Sequence, residues 1–193
     1  MKLSASFAVL LSIAPFALAQ GPGQQAPLAV EHPTYAVIPL EIDVNRPAAE
    51  VWKRVGKYCD IGEWLQVPCT ITSGKDGEVG AVRSIGNEIM VGKTELSYTY
   101  TQPVRTGRVY DMYHGTLEAR PLTPTTSKLV YTLVYDNSAM ADDDARAKDK
   151  ERRAQTFTRA LQNMKTIAEG GTLPPPPARG GRGGQPAGPG RAQ

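Results

Sequence analysis

Between residues 35 and 44 the side chains alternate. Ile38, Leu40, Ile42 and Val44 fall on one parity and Glu41 and Asp43 on the other, the period of a strand with one buried face. The pattern then changes. Pro47 inside a first turn, with Asn45 or Arg46 near the cap, predicts a helix over 47–57. A second short helix over 61–65 must stop before Pro68, because the residue preceding proline avoids the helical region. From there short alternating runs predict strands at 69–73, 79–85, 88–91, 95–101, 109–119 and 128–136, separated by Gly-, Asn- and Pro-bearing turns. One parity of the last three carries Leu96, Tyr98, Tyr100; Tyr113, Gly115, Leu117, Ala119; and Leu129, Tyr131, Leu133, Tyr135. His114, Thr116 and Glu118 take the other. Residues 137–171 read as one long helix with Ala154, Phe157, Leu161, Met164 and Ala168 at steps of three and four, and Ala160 and Ile167 widening the stripe. A sheet with one apolar face and a helix with one apolar stripe satisfy each other, so the order predicts an α+β fold.

Charge changes the picture only at the ends of that helix and of the chain. Ten of the twelve residues 142–153 are charged, with Asp142, Asp143 and Asp144 where the helix dipole favours acids. Asp142/Arg146, Asp144/Lys148 and Asp149/Arg153 stand four apart with the acid first, so this half is expected to project into solvent. Ser138 or Asp142 is placed to cap its start, and Gly170 and Gly171 its end. The stripe lasts about two heptads, too short for a coiled coil.

Composition divides the chain. Lys2, the apolar run 7–17 and Ala17-Leu18-Ala19 predict a secretory signal over 1–19, cleaved near Ala19, which implies an exported protein, periplasmic or secreted. The run is shorter than the ~20 residues a membrane span needs. Residues 20–34 form a Gly/Pro/Gln-rich leader and 171–193 a Pro/Gly/Arg-rich tail expected to be disordered; its Arg-Gly-Gly repeats suit RNA, but in an exported chain a solvated tail or weak adhesion to an anionic surface is the expectation. Between them, residues 35–170 make one domain. With Lys2, Arg179, Arg182 and Arg191 set aside, 18 basic residues face 19 acidic ones, so the high isoelectric point describes the appendages and gives no argument for a nucleic-acid partner. Cys59 and Cys69 are the only cysteines, and in an exported chain an even count predicts a disulfide.

The order of these pieces resembles a START-like domain (SRPBCC, Bet v 1-like helix-grip) of the polyketide cyclase/dehydrase type. The resemblance is carried by IDVNRPAAEVWKRVGKYCDIGEWL at 42–65, GAVRSI at 80–85, the glutamate opening EIMV at Glu88, YHGTLEARP at 113–121 and LVYTLVYD at 129–136. It implies a curved antiparallel sheet gripping the last helix, with a cavity between them. Candidate lining is then Arg83, Ile85, Glu88, Met90, Tyr98, Tyr100, Tyr113, Leu117, Tyr131, Leu133 and Tyr135 from the sheet, Phe157, Leu161 and Met164 from the helix, and Trp64 near the mouth. The five inward tyrosines either offer rings and hydroxyls to an aromatic or sterol-like ligand or simply fill the core.

Arg83 and Glu88 fall on opposite arms of a tight hairpin. Inside a cavity they either hold a ligand carbonyl or carboxylate, with Glu88 as a proton acceptor, or pair with each other structurally. His114 reads as a surface strand residue. No spacing of His, Cys, Asp and Glu suits a metal, and neither a Ser/His/Asp arrangement nor a phosphate-cradling glycine motif occurs. No cofactor is expected. The leading functional reading is an exported module that encloses a hydrophobic or aromatic small molecule; the second is a cyclase or dehydratase using Glu88, Arg83 and tyrosine hydroxyls, since the fold alone selects neither.

Overall fold

The structure, a computed structural model, describes residues 32–175. The expected signal over 1–19, the leader up to residue 31 and the tail beyond residue 175 lie outside the described residues. Alternation from Tyr35 produces β1 (Tyr35–Val44) as expected, with Ala36, Ile38 and Val44 buried. Two short helices follow, α1 (Ala48–Val55) and α2 (Ile61–Trp64). The remaining strands are β2 (Ile71–Ser73), β3 (Val82–Arg83), β4 (Glu88–Lys93), β5 (Ser97–Thr101), β6 (Asp111–Pro121) and β7 (Ser127–Asp136), before the long helix α3 (Asp143–Ala168). All seven strands form one antiparallel sheet in the order β1-β7-β6-β5-β4-β3-β2. Its inner face packs against α3, chiefly through β1, while α1 lies over β6 and β7.

The long strands keep the expected parity. Tyr113, Gly115, Leu117 and Ala119 of β6 and Leu129, Tyr131, Leu133 and Tyr135 of β7 are buried, and Leu117 pairs with Tyr131 across the two. Two places depart from the pattern. The strand expected over 79–85 shrinks to β3, because Gly80, Gly86 and Asn87 adopt positive φ (92°, 63° and 54°) and turn the chain on either side of it. Ile85 therefore sits in the turn to β4, only partly buried. In β6 the register slips between Asp111 and His114, where Met112 has φ of 50° and its N–H donates to Asp111 Oδ1 at 2.6 Å. This bulge restarts the alternation at Tyr113.

Helix α3 is capped by Asp142, whose Oδ1 accepts from the Ala145 N–H at 2.7 Å. Asp142 is thereby occupied, and Arg146 turns to Asp143 rather than to the residue four before it. Phe157, Ala160, Leu161, Met164 and Ile167 form the buried stripe. Past the helix, Leu173 packs against the core and Gln66 Nε2 donates to the Pro174 carbonyl at 2.7 Å, so the first residues after Gly171 are docked. The expected disulfide is present: Cys59 and Cys69 are bonded and close a loop around α2. No helix among the described residues is long and apolar enough to cross a membrane.

Candidate functional site

The hairpin from β3 to β4 sets Arg83 opposite Glu88, and both are buried, at 0% and 3% exposure. Arg83 Nε donates to Glu88 Oε2 at 2.7 Å, and Nη2 stands 2.6 Å from the same oxygen without hydrogen-bond alignment. Nη1 donates to the Tyr58 carbonyl at 2.7 Å, which ties the hairpin to the chain just after α1. The guanidinium also lies over the rings of Tyr58, Tyr100 and Tyr98, at 4.3, 4.6 and 5.7 Å from their centres. The other Glu88 oxygen accepts from Gln102 Nε2 at 2.8 Å, and Gln102 is held in turn by Arg108 and Tyr110. Burial pushes the Glu88 carboxyl up, opposed by Arg83 and Gln102. Of the two sequence readings, this geometry favours the structural pair: both carboxylate oxygens are engaged inside the protein.

The inward tyrosines make a continuous aromatic seam. Tyr98, Tyr100, Tyr113 and Tyr135 follow one another at ring separations of 6.4, 6.2 and 6.0 Å. Tyr100 and Tyr131 share a hydroxyl–hydroxyl hydrogen bond of 2.8 Å, and Tyr131 stacks on Phe157 at 4.6 Å. Tyr100 fits because its cross-strand partner is Gly115: a Cβ there would meet the Tyr100 ring at 2.4 Å. Burial raises the hydroxyl pKa of Tyr98, Tyr100 and Tyr131, and that of Tyr113 to about 12, so all four stay protonated.

A second arginine closes the far end of the seam. Arg153 of α3 lies 4.4, 4.6 and 5.2 Å over the rings of Tyr110, Tyr135 and Tyr113. Asp149 accepts from Arg153 Nε at 2.7 Å and from the Tyr135 hydroxyl at 2.9 Å, with Arg152 on its other oxygen. Burial alone would raise the Asp149 carboxyl, but these hydrogen bonds bring it below the ordinary carboxylate range. The charged half of α3 therefore does not all project into solvent. Asp149 and Arg153 turn inward because the bulge in β6 brings Tyr110 beside Tyr113 and Tyr135, a surface on which a guanidinium is held by three rings.

An open pocket adjoins the Tyr98 end of the seam. A pocket of about 650 Å³ is bounded by the end of α1, the turn at 76–77 and the hairpin between β4 and β5, within the ordinary size range of small-molecule sites. Its apolar surface comes from Trp52, Tyr58, Met90 and Tyr98, and Lys53, Lys57, Lys93, Asp76 and Glu95 contribute charge. Trp52 and Tyr98 stand 5.7 Å apart and Tyr58 meets Tyr98 edge-on at 5.4 Å. Gly56 is what lets the indole of Trp52 fold over the end of α1, since a Cβ there would fall 2.4 Å from its ring. The Tyr58 hydroxyl is buried and has no hydrogen-bond partner among the described residues. Lys93 Nζ donates to the Gly77 carbonyl at 2.6 Å and joins the hairpin to the turn.

Of the residues expected to line a cavity, Met90 and Tyr98 border this pocket. Arg83, Glu88, Tyr100, Tyr113, Leu117, Tyr131, Leu133, Tyr135, Phe157, Leu161 and Met164 are brought together in the core between sheet and α3. Trp64, expected at a mouth, is fully buried: α2 tucks it edge-on against Tyr131, and Asn163 of α3 binds its carbonyl at 2.9 Å. Ile85 packs at the core's edge and His114 is half-buried on the outer face, its Nδ1 2.8 Å from the Met112 carbonyl. Trp52, Lys53, Lys57 and Tyr58 were not expected. The available signal was Trp52, an aromatic residue next to the inward-facing Val51 and four residues before a glycine.

No protein-family model and no curated protein matches the chain in sequence. Its fold recurs among solved structures. A protein of Nitrosospira multiformis shares 21% identity over 68% of this chain and 96% of its own, with a TM-score of 0.56. A Thermobifida fusca protein shares 22% over 68% and 92%, with a TM-score of 0.57. The ZhuI aromatase/cyclase of a Streptomyces species shares 16% over 72% and 100%, with a TM-score of 0.52. These likenesses establish the helix-grip α+β fold, a seven-stranded antiparallel sheet packed on a long C-terminal helix, as the resemblance implied.

Proposed function

We propose that the protein is an exported module that binds a hydrophobic or aromatic small molecule in the pocket between α1 and the β4–β5 hairpin. The observation that carries this reading is the pocket itself, whose apolar surface is four large side chains, Trp52 of α1, Tyr58 of the turn after it, Met90 of β4 and Tyr98 of β5, on a disulfide-braced scaffold. Flat rings around a concave space suit a flat guest. Aromatic guests also accord with one fold neighbour's being an aromatase/cyclase. The state of Glu88 supports binding over proton transfer, because its two oxygens are taken by Arg83 and Gln102 and it does not line the pocket. Export follows from the reading of residues 1–19 and accords with the disulfide.

The test is titration with N-phenyl-1-naphthylamine, a neutral aromatic fluorophore. Saturable one-site binding is expected, weakened about tenfold or more in Trp52→Ala, in keeping with the roughly 1.4 kcal/mol an aromatic contact and its buried area supply. Gly56→Ala, which pushes the indole aside from behind, should weaken it too without removing any ring. Absence of saturable binding, or an affinity unchanged in both variants while their thermal midpoints stay near wild type, overturns the reading.

A further inference from the structure

The charges around this pocket are arranged unevenly. Lys53 lies in the last turn of α1 and Lys57 just past its Gly56 cap, and both border the pocket at the α1 end. Neither takes part in an ion pair among the described residues. Like charges at this spacing repel, and the usual reason for cations here, the negative end of the helix dipole, is already met by Arg54. Arg54 differs from its neighbours in a telling way: it has its own carboxylate, Glu63, through two hydrogen bonds of 2.7 and 2.6 Å. Of the three lysines that border the pocket, Lys53 and Lys57 have ammonium groups with no hydrogen bond or ion pair among the described residues; Asp60, beside Lys57, accepts from its backbone N–H instead. The acids of the lining, Asp76 and Glu95, come from the turn and the hairpin tip on the opposing wall, and Lys93 beside them is engaged with the Gly77 carbonyl.

We infer that the ligand is an aromatic anion, a carboxylate, sulfonate or phosphate on a ring system, whose ring lies against Trp52 and Tyr98 and whose charged group is held by Lys53 and Lys57. This deepens the binding reading given above and rests on it. Asp76 and Glu95 then set the orientation, because they outnumber Lys93 on their own wall and so favour the charged end on the α1 side, where no lining acid stands. The ring enters the apolar part and the anion stays at the rim, where both lysines are solvated and their attraction is screened by salt.

A matched pair of probes tests this. The sulfonate 1-anilinonaphthalene-8-sulfonate has the same ring skeleton as N-phenyl-1-naphthylamine and adds one negative charge. At low salt the sulfonate should bind about tenfold more tightly than the neutral probe, a ratio equal to ~1.4 kcal/mol. The ratio should fall toward one in Lys53→Gln/Lys57→Gln and in high salt, while affinity for the neutral probe holds. Asp76→Asn/Glu95→Gln should leave the preference intact or increase it. If the neutral probe binds as well as the sulfonate in wild type, or if the lysine variant keeps the preference, the anion inference is overturned and the pocket reading stands. If neither probe binds, the pocket reading itself has failed.

Discussion

Replacing Arg83 by methionine isolates what the buried ion pair contributes. Methionine keeps much of the aliphatic volume but removes the charge, the donors to Glu88 and the Tyr58 carbonyl, and the cation over three rings. The dominant effect is on what remains: a carboxylate at 3% exposure whose only other side-chain partner among the described residues is Gln102. Breaking a buried pair from one side costs about 3–5 kcal/mol. For a folded part of about 140 residues, an unfolding entropy near 2.1 cal/mol/K per residue makes each kcal/mol worth ~3 °C, so the midpoint should fall by about 10–15 °C. Adding Glu88→Gln, which removes the stranded charge but keeps an oxygen for Gln102, should restore at least half of the loss. The pH dependence gives an independent reading. Burial already holds the Glu88 carboxyl above its ordinary value, and without Arg83 it rises further. A carboxyl whose folded pKa exceeds its unfolded one costs stability as pH rises from the unfolded value through the folded one. The gap between Arg83→Met and wild type should therefore be widest near pH 8 and narrow toward pH 5. Thermal and urea melts followed by circular dichroism measure all three quantities. A loss under ~1 kcal/mol, a gap that does not change with pH, or a double variant no better than the single one would refute the reasoning.

Gly115→Ala should destabilise the protein by about 1–3 kcal/mol and alter its near-ultraviolet circular dichroism, because the new methyl occupies the place of the Tyr100 ring. Asp149→Asn should flatten the acid limb of the stability curve. Asp149 is held below its unfolded pKa, so it stabilises the wild type above about pH 4 and loses that contribution as the pH falls through its folded value; a variant that loses stability in acid as steeply as wild type contradicts this. Removing the disulfide as Cys59→Ala/Cys69→Ala opens a loop of sequence separation 10, which the chain-entropy model values at about 3 kcal/mol, or ~9 °C in midpoint. A midpoint within a degree or two of wild type would mean that packing of Trp64 and Tyr58 alone fixes that loop.

The parts of the fold that could be read from the sequence are those set by periodicity. Alternation in 35–44 and 128–136, and steps of three and four in α3, specify which side chains face inward, and every inward tyrosine is buried as its parity required. Parity names a face but not the volume left in front of it. Tyr100, Tyr131 and Phe157 meet across the interior, and a pocket lies beside α1. That location depends on how far one helix stands from one hairpin, a distance no local pattern encodes. Trp52 and Tyr58 were missed for this reason. Asp149 and Arg153 were misread for another: acid–base spacing on a helix looks the same whether the pair faces water or three tyrosine rings. The short β3 reflects three residues at positive φ, of which only the glycines are visible as such in the sequence.

The sheet is uneven along its width, and that has a bearing on how the molecule should breathe. At one side β1 is paired with β7 along its whole length, and β7 continues into β6; at the other, β2 and β3 share only two register positions with a slip between them. Amide hydrogens in the long-strand half should exchange only through global unfolding, whereas those of β2, β3 and the turn at 76–77 should exchange through smaller openings. The pocket borders this looser half. An occupant spanning α1 and the hairpin would then register first as slowed exchange at Gly77 and Lys93, a signature that can be sought in crude mixtures before any ligand has been identified.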